Sequence, residues 1–322
     1  MRFLTRCVGG LAALLLCGWP RHGMGETQEG APAAYVGSTP ADTWVREFLG
    51  GLGRDAACHS IVWRVNLQPS ENNGLPTRFE LRATYRVPAR GNPNRSEDGP
   101  EVLLNGTWEI PKGGKPEAGS VVYRLTRSET RRSLSLVKIG DHLLHVLTPH
   151  GSLAIGNGGQ SYTLNLADRA ERPGDQSQVN SAPQISYKIS RLATGPTVFG
   201  VFEGRTPCHG ISRELGLNPH AGCIKSKWRV TLHQNPVTSA PTTYRIEGSL
   251  FREGAREGTW SVSRLPKTDP NGTVYQLSGS RTQPALALLK GDDNVLYFLN
   301  RSLELLVGHG DFSYTLNRVA AK

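Results

Sequence analysis

A cysteine followed five residues later by Trp-Arg-Val and then a leucine occurs at Cys58, Trp63-Arg64-Val65 and Leu67, and again at Cys223, Trp228-Arg229-Val230 and Leu232. The shared offset of 165 extends to Pro76, Thr77, Phe79 and Leu81, matched by Pro241, Thr242, Tyr244 and Ile246. After a longer loop in the first copy the offset drops to 152 and holds to the end of the chain. It pairs Gly106-Thr107-Trp108 with Gly258-Thr259-Trp260, Tyr123 with Tyr275, Lys138 with Lys290 and Leu147 with Leu299. The last match is Ser161-Tyr162-Thr163-Leu164-Asn165 with Ser313-Tyr314-Thr315-Leu316-Asn317. A constant offset over so long a stretch means a duplicated domain. Two units of roughly 130 residues each hold their own cores, so this is a tandem pair and not a solenoid.

Within a copy, the hydrophobic period is that of strands. Arg78–Arg86 alternates Phe79, Leu81, Ala83 and Tyr85 against charged residues and threonine, the signature of a strand with one dry and one wet face. Further strands are expected at Ile61–Leu67, Leu103–Ile110, Ser120–Arg127, Leu134–Lys138, Leu143–Leu147, Leu153–Ile155 and Ser161–Leu166. Short turns between them indicate an antiparallel meander. Val87–Pro100, with three prolines, two glycines and two asparagines, reads as a polar loop. Ala41–Gly50 spaces Trp44, Val45, Phe48 and Leu49 for one face of a short helix, stopped by Gly50-Gly51. A helical turn is expected around Ile211–Leu217, and Phe202–Pro207 echoes Tyr35–Pro40. Residues 168–195 read as a linker, with a weak strand pattern at Ile185–Leu192, and residues 26–34 as a disordered lead-in. The domains are therefore expected at 35–167 and 196–320.

The first 25 residues have the form of a signal peptide. Arg2 and Arg6 precede an apolar run, Val8–Leu16, too short to span a bilayer, and Gly23 and Gly25 supply small residues ahead of Glu26. Cys17 stands where a bacterial lipoprotein carries its acylated cysteine, although Leu16 replaces the usual small residue before it. Either processing route places the mature protein outside the cytoplasm, attached to a membrane only if Cys17 carries lipid. The net charge of +10 divides as +3 in residues 1–25, +1 in 26–167 and +6 in 168–322. No run of like charges forms a stripe that would track a nucleic-acid backbone, so that class of partner is set aside.

Each copy resembles the N-terminal domain of the envelope copper-resistance lipoprotein family NlpE. The residues that carry the likeness are Thr-Pro ahead of a cysteine-bearing loop, the Gly-Thr-Trp strand, Lys-Gly-Asp-Asp at 290–293 and Ser-Tyr-Thr-Leu-Asn-Arg at 313–318. The resemblance implies an all-β fold of two small antiparallel barrels, lipocalin-like and about eight-stranded, each with a short helix in its cysteine loop. It also implies outer-membrane association and a part in envelope-stress sensing or copper tolerance. The family's two cysteines are separated by two residues, whereas fourteen lie between Cys208 and Cys223, and the first copy has Ala41 where the second has Cys208.

Two chemistries compete for the second cysteine loop. In an oxidising compartment Cys208 and Cys223 would form a disulfide, contributing about 3 kcal/mol by restricting the unfolded chain. Alternatively Cys208, His209, His220 and Cys223 supply thiolate and imidazole donors suited to copper or zinc, provided the thiols are reduced. Cys58 is left over as an odd thiol. His142, His145 and His150 are expected to face solvent, and the absence of Met after Met24 argues against a thioether copper site. Trp63, Trp108, Trp228 and Trp260 are expected in the barrel cores, with an interior ligand pocket as the alternative. Asp292-Asp293-Asn294 suits a hairpin turn. No nucleophile elbow, phosphate loop or zinc-protease pattern occurs in the sequence. The expectation is therefore a non-enzymatic envelope protein that binds or senses an envelope protein or a small ligand. Its rivals are a periplasmic metal or thiol-redox module and a carrier of a small apolar ligand.

Overall fold

A computed structural model describes residues 32–70, 74–111, 121–170, 197–217, 219, 222–251, 254–265, 272–279 and 285–320. The signal-like segment with Cys17, most of the linker and His220 lie outside the described residues. The chain forms two closed eight-stranded antiparallel barrels in tandem. Barrel one runs β1 (Ala33–Thr39), α1 (Thr43–Leu49), β2 (Ser60–Pro69), β3 (Pro76–Ala89), β4 (Asn92–Glu109), β5 (Val122–Arg127), β6 (Ser133–Ile139), β7 (Leu143–Val146) and β8 (Thr163–Leu166). Barrel two repeats this as β9 (Val198–Pro207), α2 (His209–Glu214), β10 (Lys225–Gln234), β11 (Pro241–Gly248), β12 (Arg256–Arg264), β13 (Thr273–Leu277), β14 (Leu286–Lys290), β15 (Val295–Leu299) and β16 (Thr315–Val319). Each strand pairs with the next, and β1–β8 and β9–β16 close the two cylinders.

The alternation that marks the strands fills the barrels. In barrel one Trp63, Val65, Phe79, Leu81, Tyr85, Tyr162 and Leu164 point inward and are buried. Barrel two places Trp228, Val230, Tyr244, Ile246, Phe298, Tyr314 and Leu316 in the same way. The repeated Gly-Thr-Trp strand has a packing cause. Gly106 lies opposite Phe79 and Gly258 opposite Tyr244. A Cβ would come within 2.7 Å of the Phe79 ring in the first case and 2.8 Å of the Tyr244 ring in the second. Both large rings thus take the space left by a missing side chain. The indoles are also tied down: Trp63 donates to Thr39 Oγ1 and Trp228 to Thr206 Oγ1, each at 2.8 Å.

Three local expectations are corrected. Barrel one opens on a strand not expected from the sequence, β1 at Ala33–Thr39, which begins inside the segment read as a disordered lead-in, while Leu153–Ile155 makes only a single bridge, Leu147 to Leu153. Small residues at Gly37, Ser38 and Thr39 hid the first of these. The polar loop at 87–100 is instead a hairpin arm, with Val87 opposite Glu97, Pro88 opposite Ser96, and an Arg86–Asp98 ion pair at 2.8 Å. Proline is admissible there because one edge of the arm is free of ladder bonds. Asp292, by contrast, forms the expected turn, its carboxylate accepting from the Asn294 and Val295 amides.

Candidate functional site: the cysteine loops and the barrel seam

The sequence places α1 and α2 between the first two strands of their barrels, and both cover a barrel end. Val45, Phe48 and Leu49 of α1 enter the first core, and Ile211 of α2 with Leu215 just beyond it enters the second. Cys208, the residue before α2, is bonded to Cys223 with the α-carbons 5.8 Å apart. The disulfide anticipated from the sequence is therefore present. It also engages both sulfurs, so the copper or zinc arrangement on Cys208, His209, His220 and Cys223 would require its reduction. Among the described residues no three His, Cys, Asp or Glu side chains converge as a metal site.

The matched loop of barrel one is held by other means. The buried Arg127 guanidinium donates from Nη1 to the carbonyls of Phe48 (2.7 Å) and Leu49 (3.3 Å), at the C-terminal end of α1 where the helix carries partial negative charge. Tyr85 donates to Gly50 O at 2.5 Å, and Arg132 donates to Glu47 O. Among the described residues Cys58 has no sulfur partner; its thiol points to the carbonyls of Ser60 (3.2 Å) and Arg86 (3.5 Å). Burial pushes its pKa up, which keeps it a thiol and slows its chemistry.

The repeated Ser-Tyr-Thr-Leu-Asn segment does something that sequence reasoning missed. Alternation turns Tyr162 and Leu164 inward and Ser161, Thr163 and Asn165 outward, and the same holds for Tyr314 and Leu316 against Ser313, Thr315 and Asn317. The two outward faces meet. Ser161 Oγ lies 2.6 Å from Ser313 Oγ and Thr163 Oγ1 lies 2.9 Å from Thr315 Oγ1. Asn317 accepts from the Gly156 amide at 2.7 Å, and Asn165 accepts from the Gly308 amide at 2.8 Å. Every one of these contacts joins positions that are equivalent, or reciprocally equivalent, at the offset of 152. The barrels thus associate about a local twofold axis, as the protomers of a symmetric dimer do. Leu143, Val295, Tyr297, Leu153 and Leu305 form the apolar part of the seam.

His145, expected to face solvent, is wholly buried in this seam. Its Nε2 donates to Ala154 O at 2.9 Å, and its Nδ1 accepts from Thr163 at 3.0 Å. Its ring stands edge-on to Tyr297, its own counterpart in barrel two, at 5.8 Å between centroids. Burial pushes its pKa down to about 4, only partly opposed by the Ala154 bond. His142 is half-buried and His150 is exposed, so the three do not converge.

The tryptophans settle against one another and against core rings. Trp228 lies 4.9 Å from Phe298 and 5.8 Å from Phe251, and Trp260 5.1 Å from Tyr275. Trp108 and Trp260 donate to the matched carbonyls of Gln68 (3.0 Å) and His233 (2.6 Å). Compared with known protein families, curated proteins and solved structures, the chain gives no match.

Proposed function

We propose that this is an exported, non-enzymatic cell-envelope protein that works by binding or sensing, with recognition on the outer surfaces of its barrels. The observation that carries the reading is that each barrel gathers its large rings and aliphatic side chains into one buried apolar cluster, as a packed core does, where a lipocalin-like carrier would keep its ligand. A protein built this way recognises with its surface. The Cys208–Cys223 bond supports export, because such bonds persist in oxidising compartments. The NlpE-like motif residues support a place in the envelope, with envelope stress or copper tolerance as the physiological setting.

Fractionation of cells expressing the full chain, followed by mass spectrometry with and without reductant before alkylation, tests this directly. The expected result is protein in the periplasmic or outer-membrane fraction, an oxidised Cys208–Cys223 pair, and no stoichiometric apolar ligand released on denaturation. Cytoplasmic protein with free thiols at both positions would overturn export, and a stoichiometric extracted lipid would restore the carrier reading. Reduced thiols with copper or zinc co-purifying would favour the metal module. Lipid-precursor labelling of wild type against Cys17→Ala decides between a released and an anchored form.

A further inference from the structure

The outer face of β9 and β10 differs in charge from its counterpart. Arg205 lies directly opposite Lys227, and Lys225 occupies the same face two residues along β10. The equivalent positions of barrel one are Ser38, Val62 and Ser60, in the same register. Three cations have therefore replaced two hydroxyls and a valine on a face whose surrounding strands are duplicated. Like charges set directly across a ladder repel, and here they are not neutralised by pairing. The neighbouring Glu203 is taken by Arg229. Among the described residues no carboxylate lies within ion-pairing distance of Arg205, Lys225 or Lys227. The exposed Asp311 favours the charged form of Lys225.

All three side chains are half-buried, and Arg205 lies against a loop of barrel one. Barrel one contributes the loop at 157–160, whose Gly159 sits so close that a Cβ would be 3.4 Å from Arg205 Nη1. Gly158, with φ +74°, and Gly159 bring no side chain of their own against the guanidinium. Barrel two contributes Phe312, whose ring lies 5.8 Å from the Lys225 ammonium. Burial and then the charges of Arg205 and Lys227 push the Lys225 pKa down, and burial does the same to Arg205. Crowded, partly dehydrated cations of this kind are relieved by an anion.

We infer that Arg205, Lys225 and Lys227, walled by the Asn157–Gln160 loop and Phe312, form a binding site at the barrel seam for a dianionic tetrahedral oxyanion of the phosphate type. Three cations offset by Asp311 leave a charge of two to be neutralised, which matches a phosphate monoester at neutral pH. A planar guanidinium fork suits bidentate contact with two phosphate oxygens, and the lysines add point charges around it. The patch is too small to track a nucleic-acid backbone. The inference rests on the surface-recognition reading above, and names the ligand class and place.

The test uses the full chain with its disulfide intact. Inorganic phosphate is titrated at constant ionic strength while the amide signals of Gly158, Gly159, Arg205, Lys225 and Lys227 are followed by NMR. Wild type should show saturable shifts at these positions. Arg205→Ser with Lys227→Val, which installs the first barrel's own residues, should weaken binding by about tenfold or more. Lys225→Ser is the second variant should the double change disturb folding, and it should weaken binding in the same direction. A parallel arm measures co-sedimentation with phosphatidylcholine vesicles with and without phosphatidic acid. Sedimentation that needs phosphatidic acid and is lost in the variants identifies a lipid headgroup; saturable phosphate binding without sedimentation identifies a soluble phosphate. Absence of shifts beyond those caused by chloride, or equal affinity in a folded variant, overturns the site. The fractionation and thiol measurements read export separately, so failure of one does not mimic failure of the other.

Discussion

In barrel one the last carbonyls of the cap helix receive a guanidinium from β5; in barrel two the residue ahead of the cap helix is joined covalently to Cys223, two residues ahead of β10. The barrels beneath are alike, with Trp63 and Trp228 anchored to Thr39 and Thr206 by bonds of the same length. The fasteners act on different states. Arg127 stabilises the folded state by satisfying carbonyls that would otherwise be buried without partners. The disulfide acts chiefly by restricting the unfolded chain. One barrel should therefore respond to loss of a charge and the other to reductant. Arg127→Met strips α1 of two charge-assisted bonds and should destabilise barrel one by about 4 kcal/mol. Hydrogen exchange should then rise in peptides from α1 and β5 while α2 and β10 keep their protection. Equal loss in both barrels would mean that the seam makes them unfold as one unit.

The seam offers a second contrast at equivalent positions, His145 against Tyr297. The folded-state pKa of His145 lies at about 4, below its ordinary value of 6.5. Unfolded chains therefore bind the proton first, and the stability this group contributes is complete above pH 6.5 and falls as the pH drops towards 4. The change amounts to about 3 kcal/mol across that window. Tyr297, the ring facing it, is pushed up by burial and stays neutral throughout. His309, also depressed by burial, lies elsewhere on the seam and remains in both proteins compared. Denaturant titrations of wild type and His145→Gln from pH 7 to pH 4 should give a shallower loss in the variant. Parallel profiles would place the proton uptake on other groups.

Reduction of the Cys208–Cys223 bond, or Cys208→Ser with Cys223→Ser, should cost barrel two about 3 kcal/mol. The α2 and β10 amides should lose protection, and barrel one should be unaffected because its Cys58 is already reduced. A reductant-sensitive barrel one would contradict the assignment of Arg127 as its fastener.

How much of this the sequence disclosed follows from the range of each interaction. Strand period and the duplication are local or self-similar features, and they led to two antiparallel meanders in tandem; closure into barrels was implied by the resemblance alone. Ala33–Thr39 escaped because Gly37, Ser38 and Thr39 lack the bulk that marks a strand. The arm at 87–100 escaped because prolines are read as breakers, a rule that lapses on a free edge. The burial of His145 could not be read from its neighbours, since the barrel that covers it is supplied by residues about 150 positions away. Repetition at 152 signalled equivalence, and equivalence says nothing of contact. The Arg205, Lys225 and Lys227 cluster was visible only as a surplus of charge in the second half until β9 and β10 were paired.

The smallest effect bears on whether the two fasteners are interchangeable. Ala41 and Cys58 occupy the places of Cys208 and Cys223, and both pack against the first core. Ala41→Cys should therefore form a bond to Cys58 in oxidising conditions. The gain should be about 2 kcal/mol, less than a closed loop of this size ideally contributes, because α1 is already held by Arg127. Intact mass would register the loss of a hydrogen pair, and the melting temperature of barrel one should rise and fall back with reductant. The bond should also rescue much of the Arg127→Met defect, since it tethers the same helix from its other end. Free thiols at 41 and 58 in the folded protein would show that the first loop has drifted from the geometry of the second. The guanidinium would then be a replacement that the loop can no longer do without.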